Sequence, residues 1–519
     1  MRSPRPLVLA LVAGASLLRP CPTLAQEEPP LPVEAPAPRP DSQERTRQIL
    51  ELQEKAFEAI RERDWAEAER LMLENLRLEP GNFVILYNLA CMRSRQGDAE
   101  GGIDYLKKAI EAGFVDIHRL RTDPDLGGLR DHGTYAVIVE GWPRILGAHL
   151  EANLKHAGRI FDGRTGAYAT TREEKMRVAI MSAMDPVSTD AAREDLARLY
   201  EWGLANVFPD LAEEGKAEHD PWAVVVLPTQ RDFRKWALAT YGADAIAGLS
   251  GIGGHYDHDQ KRLVAMDLGA TLRHEFFHVL HWRSCTRLGQ MHPIWIQEGL
   301  CSLVEDYELG SPPSAASLRP VASWRSNMVK RLASGGRLPT LKQLTSMPRG
   351  RFTEVNPLAN YGLARTFFLY LHDQGKLKDW YAHYTTHYRE DPSGLKSIEA
   401  VLGKASTEID RDYRAWVRKL PEVAEQTRPG NVGIGADVET GDGDGPVIVA
   451  IPRVRGRASP AQTAGLRVRD VITAVNSQPT RDLHELVRVL GQFKAGDEVE
   501  VAYRRGKVHS TTRVVLERR

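Results

Sequence analysis

The segment Thr271-Leu-Arg-His-Glu-Phe-Phe-His-Val-Leu280 carries the residue types best suited to chemistry. His274 and His278 are four positions apart in a proline-free, apolar stretch that predicts a helix, and residues four apart on a helix are rotated by only about 40°. Both imidazoles therefore leave one face and can converge on one ion. Glu275 follows the first histidine directly, where its carboxylate can reach a water on that ion without competing as a ligand. Two imidazoles leave a coordination sphere incomplete, and Trp295-Ile-Gln-Glu298-Gly299-Leu300 supplies a third donor. Pro293 marks the end of a loop, and a second helix over 294–305 brings Glu298 back against the first. The 20 positions from His278 to Glu298 accommodate the remainder of one helix, a loop and the return.

Zinc takes imidazole nitrogen and carboxylate oxygen, and a catalytic site keeps a fourth position open for water. Such an ion lowers the pKa of its water to about 7 and polarises a substrate carbonyl, while Glu275 accepts the water's proton and passes it to the leaving amine. The expectation is one Zn²⁺ per chain and amide hydrolysis without a covalent intermediate. The competing reading is a stabilising helix with buried histidines and no metal, which the apolar setting and the spacing to Glu298 disfavour. His383-Tyr-Thr-Thr-His387 repeats the histidine spacing but has no glutamate and no partner helix, so it reads as a surface or packing pair. His255 and His258 read as loop residues.

Together, His-Glu-x-x-His and Trp-x-x-Glu-Gly resemble the gluzincin metallopeptidases, in which a downstream glutamate completes the site, and in particular their aminopeptidase-like and peptidase-MA-like branches. The resemblance implies that Glu305, seven positions beyond Glu298, orients a ligand histidine. It implies too that Tyr361, in Asn360-Tyr361-Gly362-Leu363 at the start of an apolar helix reaching Leu371, donates a hydrogen bond to the tetrahedral oxyanion. Monoaminopeptidases of this group carry a Gly-x-Met-Glu-Asn strand whose glutamate holds the free amine. Gly251-Ile-Gly-Gly-His-Tyr-Asp257 lacks it, which argues against that mode unless Asp257 or Asp259 substitutes. The glycyl aminopeptidase-like family also joins Trp-x-x-Glu-Gly to a C-terminal PDZ domain, but in place of its N-terminal β-domain this chain has helical repeats.

The elements that must position these residues lie in an α+β, zincin-type domain over 157–423. A helix is predicted over 183–205, a short buried strand over 223–227 ended by Pro228, and another strand over 262–267. Glycines 248, 251, 253 and 254 lack the strand-to-helix setting of a phosphate loop.

Two modules flank this domain. Over 45–142 the pattern is helical and repeats itself: Asp64-Trp65-Ala66-Glu67-Ala68 is echoed by Asp98-Ala99-Glu100-Gly101-Gly102, and Ala56 by Ala90, each at an offset of 34 residues. This resembles the tetratricopeptide repeat, which implies a concave surface for peptides or partner proteins, with 116–142 as its cap. A helical hairpin that serves only as packing is the plainer alternative. The segment 430–517 is β-rich. Its Val432-Gly433-Ile434-Gly435, Ser459-Pro460-Ala461, Ala464-Gly465-Leu466 and Asp470-Val471-Ile472 are similar to the PDZ domains of bacterial proteases. The resemblance implies that the backbone amides of Gly433, Ile434 and Gly435 receive a peptide's C-terminal carboxylate, while the peptide adds a strand beside a helix over 482–490. Arg469 departs from that pattern, since such domains usually place glycine there.

Composition narrows the partners. The 519 residues carry 69 Lys plus Arg against 69 Asp plus Glu, so no net field draws the chain to nucleic acid. Arg2 and Arg5, the apolar run Leu7 to Leu18 and the small residues around Ala25 read as a secretory signal over 1–25, which predicts export to the periplasm or beyond. A run of about twelve residues falls short of the roughly twenty that span a bilayer, so no transmembrane segment is expected after cleavage. Residues 26–44 are rich in proline and glutamate and read as a tether. Cys91, Cys285 and Cys301 remain, and the last two flank the site as a disulfide or as two buried thiols. The expected product is a multidomain polypeptide-cleaving enzyme. The alternative is an inactive peptide-binding scaffold, against which the intact Glu275 counts.

Overall fold

The computed structural model describes residues 40–160, 168–184, 186–212, 220–227, 230–241, 254–423, 432–439, 445–452, 457–480, 483–491 and 493–518. The expected signal, most of the tether, glycines 248, 251 and 253, Pro228 and Asp482 lie outside them. The first helix, α1 (Pro40–Glu62), starts inside the stretch read as tether. Proline is tolerated in a first turn because its missing N–H has no partner there in any case.

Helices α2 (Trp65–Leu78), α3 (Phe83–Arg95) and α4 (Ala99–Glu111) follow, with α1 packed on α2 and α3 on α4. The 34-residue echo is carried into geometry. Arg63 and Gly97 both take left-handed backbone, with φ of 64° and 80°, and the next residue in each case is a capping aspartate. Asp64 accepts from the amide of Glu67 and Asp98 from that of Gly101, each satisfying one of the unpaired donors at a helix start. Ala56 and Ala90 are both buried. Two short helices, α5 (Ile117–Thr122) and α6 (Gly133–Glu140), lead to α7 (Trp142–Ile160). Trp142 at the start of α7 belongs to the helical core, while Leu150, Leu154 and Ala157 pack on the sheet that follows. The gap left between 142 and 157 in the sequence-based division is therefore one continuous helix shared by both regions.

The described strands β1 (Ala169–Glu173), β2 (Val178–Ser182), β3 (Trp222–Val226), β4 (Gly254–Asp257) and β5 (Arg262–Ala265) form a sheet in the order β1-β2-β3-β5-β4. β2, β3 and β5 run parallel, and β4 pairs antiparallel with β5 at the edge. Successive side chains point to opposite faces. Val178, Ile180, Val224, Val226 and Leu263 enter the core that holds the site, whereas Ala179, Met181, Ala223, Val225 and Val264 face α7 and α9 (Gln230–Tyr241). A sheet covered on both faces explains why β2 and β3 are apolar throughout.

On the first of these faces lie α8 (Pro186–Asn206), α10 (Ala270–Leu288), α11 (Ile294–Leu303), α12 (Trp324–Ser334), α13 (Pro357–Asp373) and α14 (Leu377–Thr386). The C-terminal region has its own core of Val432, Ile434, Ile448, Ile472, Val499 and Val501, closed by Leu486 and Val489 of α15 (Leu483–Leu490). Strands β6 (Tyr307–Leu309) and β7 (Leu318–Pro320) pair with each other after α11, and β8 (Val432–Gly433) opens the C-terminal region. The sheet of that region runs β14-β13-β11-β10-β9, with β9 (Asp437–Glu439), β10 (Val447–Ala450), β11 (Val471–Val475), β13 (Glu498–Arg505) and β14 (Val508–Val515); β12 (Gln478–Pro479) pairs with β11. Arg469 takes φ of 75°, the left-handed conformation that explains why glycine is usual there. Among the described residues no helix is long and apolar enough to cross a membrane.

Candidate metal centre

Helix α10 starts where Asp267 accepts hydrogen bonds from the amides of Gly269 and Thr271, and it ends at Gly289, whose φ of 63° closes the last turn. It presents His274 and His278 toward α11, which carries Glu298, and Glu275 beside β4. The Nε2 atoms of His274 and His278 are 3.1 Å apart. Glu298 Oε2 stands 3.4 Å from the first and 3.6 Å from the second. A tetrahedral zinc with bonds of about 2.0–2.1 Å separates its ligand atoms by about 3.3 Å. Three donors of the right elements thus already sit at ligand spacing, and the residues fit the ion.

Close packing sets that spacing. A side-chain carbon on Gly299 would fall 2.6 and 2.7 Å from ring atoms of Phe368 and 3.0 Å from Ala364. Trp295 stacks on Phe368 with ring centroids 5.2 Å apart. The tryptophan and glycine of Trp-x-x-Glu-Gly are thus the contacts that seat α11 on α13. The far end of α11 is held by two buried guanidinium groups: Arg365 donates to the carbonyl of Ser302, and Arg273 to that of Glu305. Carbonyls at a helix end have no partner within the helix, and cations suit its negative pole.

Glu305 Oε1 lies 2.9 Å from His274 Nδ1, and Arg325 Nε lies 2.9 Å from Glu305 Oε2. The ring is thereby turned so that Nε2 faces Glu298. His278 is steadied from the other side by Tyr256 of β4, stacked at 4.9 Å and 12° and itself lying flat on Trp222. Burial alone would lower the pKa of His274, but its hydrogen bonds with Glu298 and Glu305 raise it to about 10. Burial would likewise lift the carboxyls of Glu298 and Glu305. The imidazoles for the first, and Arg325 with His274 for the second, hold both well below the usual carboxylate range instead.

Glu275 is half-buried beside β4, where a side-chain carbon on Gly254 would come within 2.7 Å of its Cγ and 2.9 Å of its Oε1. Burial, with the carboxylates of Glu298 and Glu305, raises its pKa against the pull of the two histidines. A carboxylate whose proton affinity is raised is a better proton acceptor near neutral pH. Tyr361 is half-buried at the start of α13, 5.3 Å from Phe352 and with the Arg325 guanidinium 5.9 Å from its ring. It therefore neighbours the residue that braces Glu305.

The remaining expectations divide. His383 and His387 stack on each other at 4.1 Å, with His383 hydrogen-bonded to Ser397, and form no metal-capable group among the described residues. His255 lies in β4 against Trp236, and His258 pairs with Asp259. Asp257 accepts from the amide of Gln260 and pairs with Arg262, so both aspartates are engaged within the β4–β5 hairpin. Cys285 and Cys301 are free, buried thiols. Gly433 pairs with Glu517 of β15 (Glu517–Arg518), Ile434 is buried, and Gly435 turns the chain at φ of 74° into β9, the last strand of its sheet.

Sequence reasoning missed Tyr256, Gly254, Arg325, Arg273 and Arg365. It missed, too, a second group of donors, His281, Cys285 and His292. Tyr256, Gly254, Arg325 and Arg365 act from other elements, and Arg273, though next to His274 on α10, acts on Glu305 32 positions away, so none leaves a spacing signal. His281 and Cys285 do have one, four positions apart on the same helix.

The PDZ domain family matches residues 431–516. A chloroplastic protein of Arabidopsis thaliana is 40% identical over 47 residues, which are 9% of this chain and 14% of that protein. A crystal structure of an aminopeptidase N family protein from Idiomarina loihiensis aligns over 68% of this chain and 67% of its own, at 13% identity and a TM-score of 0.27. A superposition this loose equates no residue of one chain with a residue of the other.

Proposed function

We propose that this chain is a zinc-dependent peptidase that cleaves polypeptides by general-base hydrolysis. The observation that carries the reading is the triangle of His274, His278 and Glu298 donor atoms, 3.1 to 3.6 Å on a side, with an uncommitted carboxylate, Glu275, on the same helix. Bound there, zinc supplies Lewis acidity and a water made acidic near neutral pH. Glu275 takes the water's proton as the C–O bond to the substrate carbonyl forms, and delivers it to the amine nitrogen as the tetrahedral intermediate collapses and the C–N bond breaks. Glu305 and Arg325 hold His274 in the tautomer that turns Nε2 inward. Tyr361 is assigned the hydrogen bond to the oxyanion of the tetrahedral intermediate.

The flanking modules fit a polypeptide substrate. The PDZ domain is assigned C-terminal peptide capture, with Gly433, Ile434 and Gly435 receiving the carboxylate and β9 pairing with the peptide. The helical hairpins over 45–142 are assigned a tetratricopeptide-like protein-binding role, and residues 1–25 an export signal. Casein and peptide libraries, free or blocked at the amine, test the activity with purified protein and Glu275→Gln. Cleavage lost in the variant with zinc retained supports the reading. Zinc bound without any Glu275-dependent cleavage points instead to an inactive scaffold.

A further inference from the structure

We propose that His281, Cys285 and His292 form a second metal site, a structural one for Zn²⁺, that clamps the end of α10 to the loop entering α11. His281 and Cys285 lie four residues apart on α10 and so share a face. His292 comes from the loop after Gly289, two positions before α11 begins. His281 Nε2 and His292 Nδ1 are 2.8 Å apart, and one donor atom from each of the three residues lies within 4.8 Å of the others. All three are buried.

The contacts around the cluster prepare it for an ion. Gln290 donates through its amide nitrogen to the carbonyl of Thr385, which leaves its oxygen to accept from His292 Nε2 at 3.0 Å. His292 Nδ1 is therefore the acceptor of the hydrogen bond from His281 Nε2, a bond that an ion between the two rings replaces, and the outer hydrogen bond from Nε2 to Gln290 is of the kind that commonly orients ligating histidines. Two imidazoles and a thiolate form a donor set that suits zinc. Without an ion, burial pushes the Cys285 thiol up to about 12 and leaves it protonated and inert. Binding balances simply: the thiol proton leaves to solvent, His281 moves its ring proton from Nε2 to Nδ1, and both imidazoles stay neutral. Phe208, Tyr381 and Tyr384 pack on the histidine rings, and with three protein donors the fourth position of a tetrahedral zinc falls to a water. Because His278 lies on α10 and Glu298 on α11, an ion at their junction fixes the separation on which the first centre depends.

The test uses the full-length protein, its His278→Ala variant and its Cys285→Ser variant, loaded with zinc or with cobalt. Two zinc ions per chain are expected, falling to one in either variant. Cobalt should give a near-ultraviolet thiolate-to-metal band in the unaltered protein and in His278→Ala but not in Cys285→Ser. A cobalt-loaded unaltered protein without that band overturns the site, and so does a band that survives Cys285→Ser. The first of these needs no variant to fold, and neither bears on the centre at His274.

Discussion

Glu305 Oε1 stands 2.9 Å from Nδ1 of His274, and its other oxygen is held at 2.9 Å by Arg325. The pair reaches across 31 positions of sequence and decides which nitrogen of His274 faces Glu298. Outer partners of this kind typically contribute a factor of about 10–100 in metal affinity. Glu305→Ala should weaken zinc binding by about that factor in chelator competition, while Glu305→Gln, which keeps an acceptor, should lose less. Equal affinity in all three proteins would remove the positioning role.

The same geometry predicts how the centre responds to pH. In the metal-free protein His274 holds its second proton up to about 10, against 6.5 for an ordinary histidine. A group whose pKa is raised on folding adds stability that is complete below its unfolded value and is lost as pH climbs through the folded one. The depressed carboxyls of Glu298 and Glu305 act in the opposite sense: their contribution is present above their ordinary 4.5 and fades as pH falls. Chelator-treated protein should therefore melt at progressively lower temperature as pH rises from about 6.5 toward 10. Zinc must displace the proton on Nε2, so affinity should climb by about tenfold per pH unit near neutrality, with one proton released in calorimetry. A flat affinity profile over that range contradicts this assignment of the proton.

Gly299 is the next place to probe, because nothing larger fits between α11 and α13. Gly299→Ala puts a methyl group 2.6 Å from Phe368 and should cost about 1–3 kcal/mol of stability by overpacking. It should weaken zinc binding too, since Glu298 precedes it in the chain and shifts with the helix. Thermal unfolding and zinc titration read the two effects separately, and a variant as stable as the parent would mean that the helices can part without cost.

Tyr361 distinguishes oxyanion stabilisation from packing. Tyr361→Phe keeps the ring against Phe352 and Arg325 and removes only the hydroxyl. Turnover on a peptide substrate should fall by about 10²–10³, as for loss of one oxyanion donor, with zinc content and melting temperature unchanged. Undiminished turnover would leave the tyrosine a packing role alone.

His274, Glu275 and His278 could be read from the sequence because ligand geometry within one helix reduces to a spacing of four. Glu298 could be read because a short return helix is written as Pro293 and an apolar run. The PDZ region showed its ordered turns and strands in the same local way, whereas Arg469 stood out in the sequence only as a departure where glycine is usual, and the backbone gives the reason in its φ of 75°. Other residues obey no periodicity. Tyr256 steadies His278 from an edge strand, Arg325 braces Glu305 from another helix, and Gly254 makes room for Glu275. His292 meets His281 only because a loop folds back over α10. The sequence by itself determined which donors exist and which pairs share a helix face, since those follow from local backbone repeat. The tertiary structure alone decided how far Glu298 stands from the imidazoles and which ring nitrogen faces it, because contacts between distant elements are set by packing that no short spacing records.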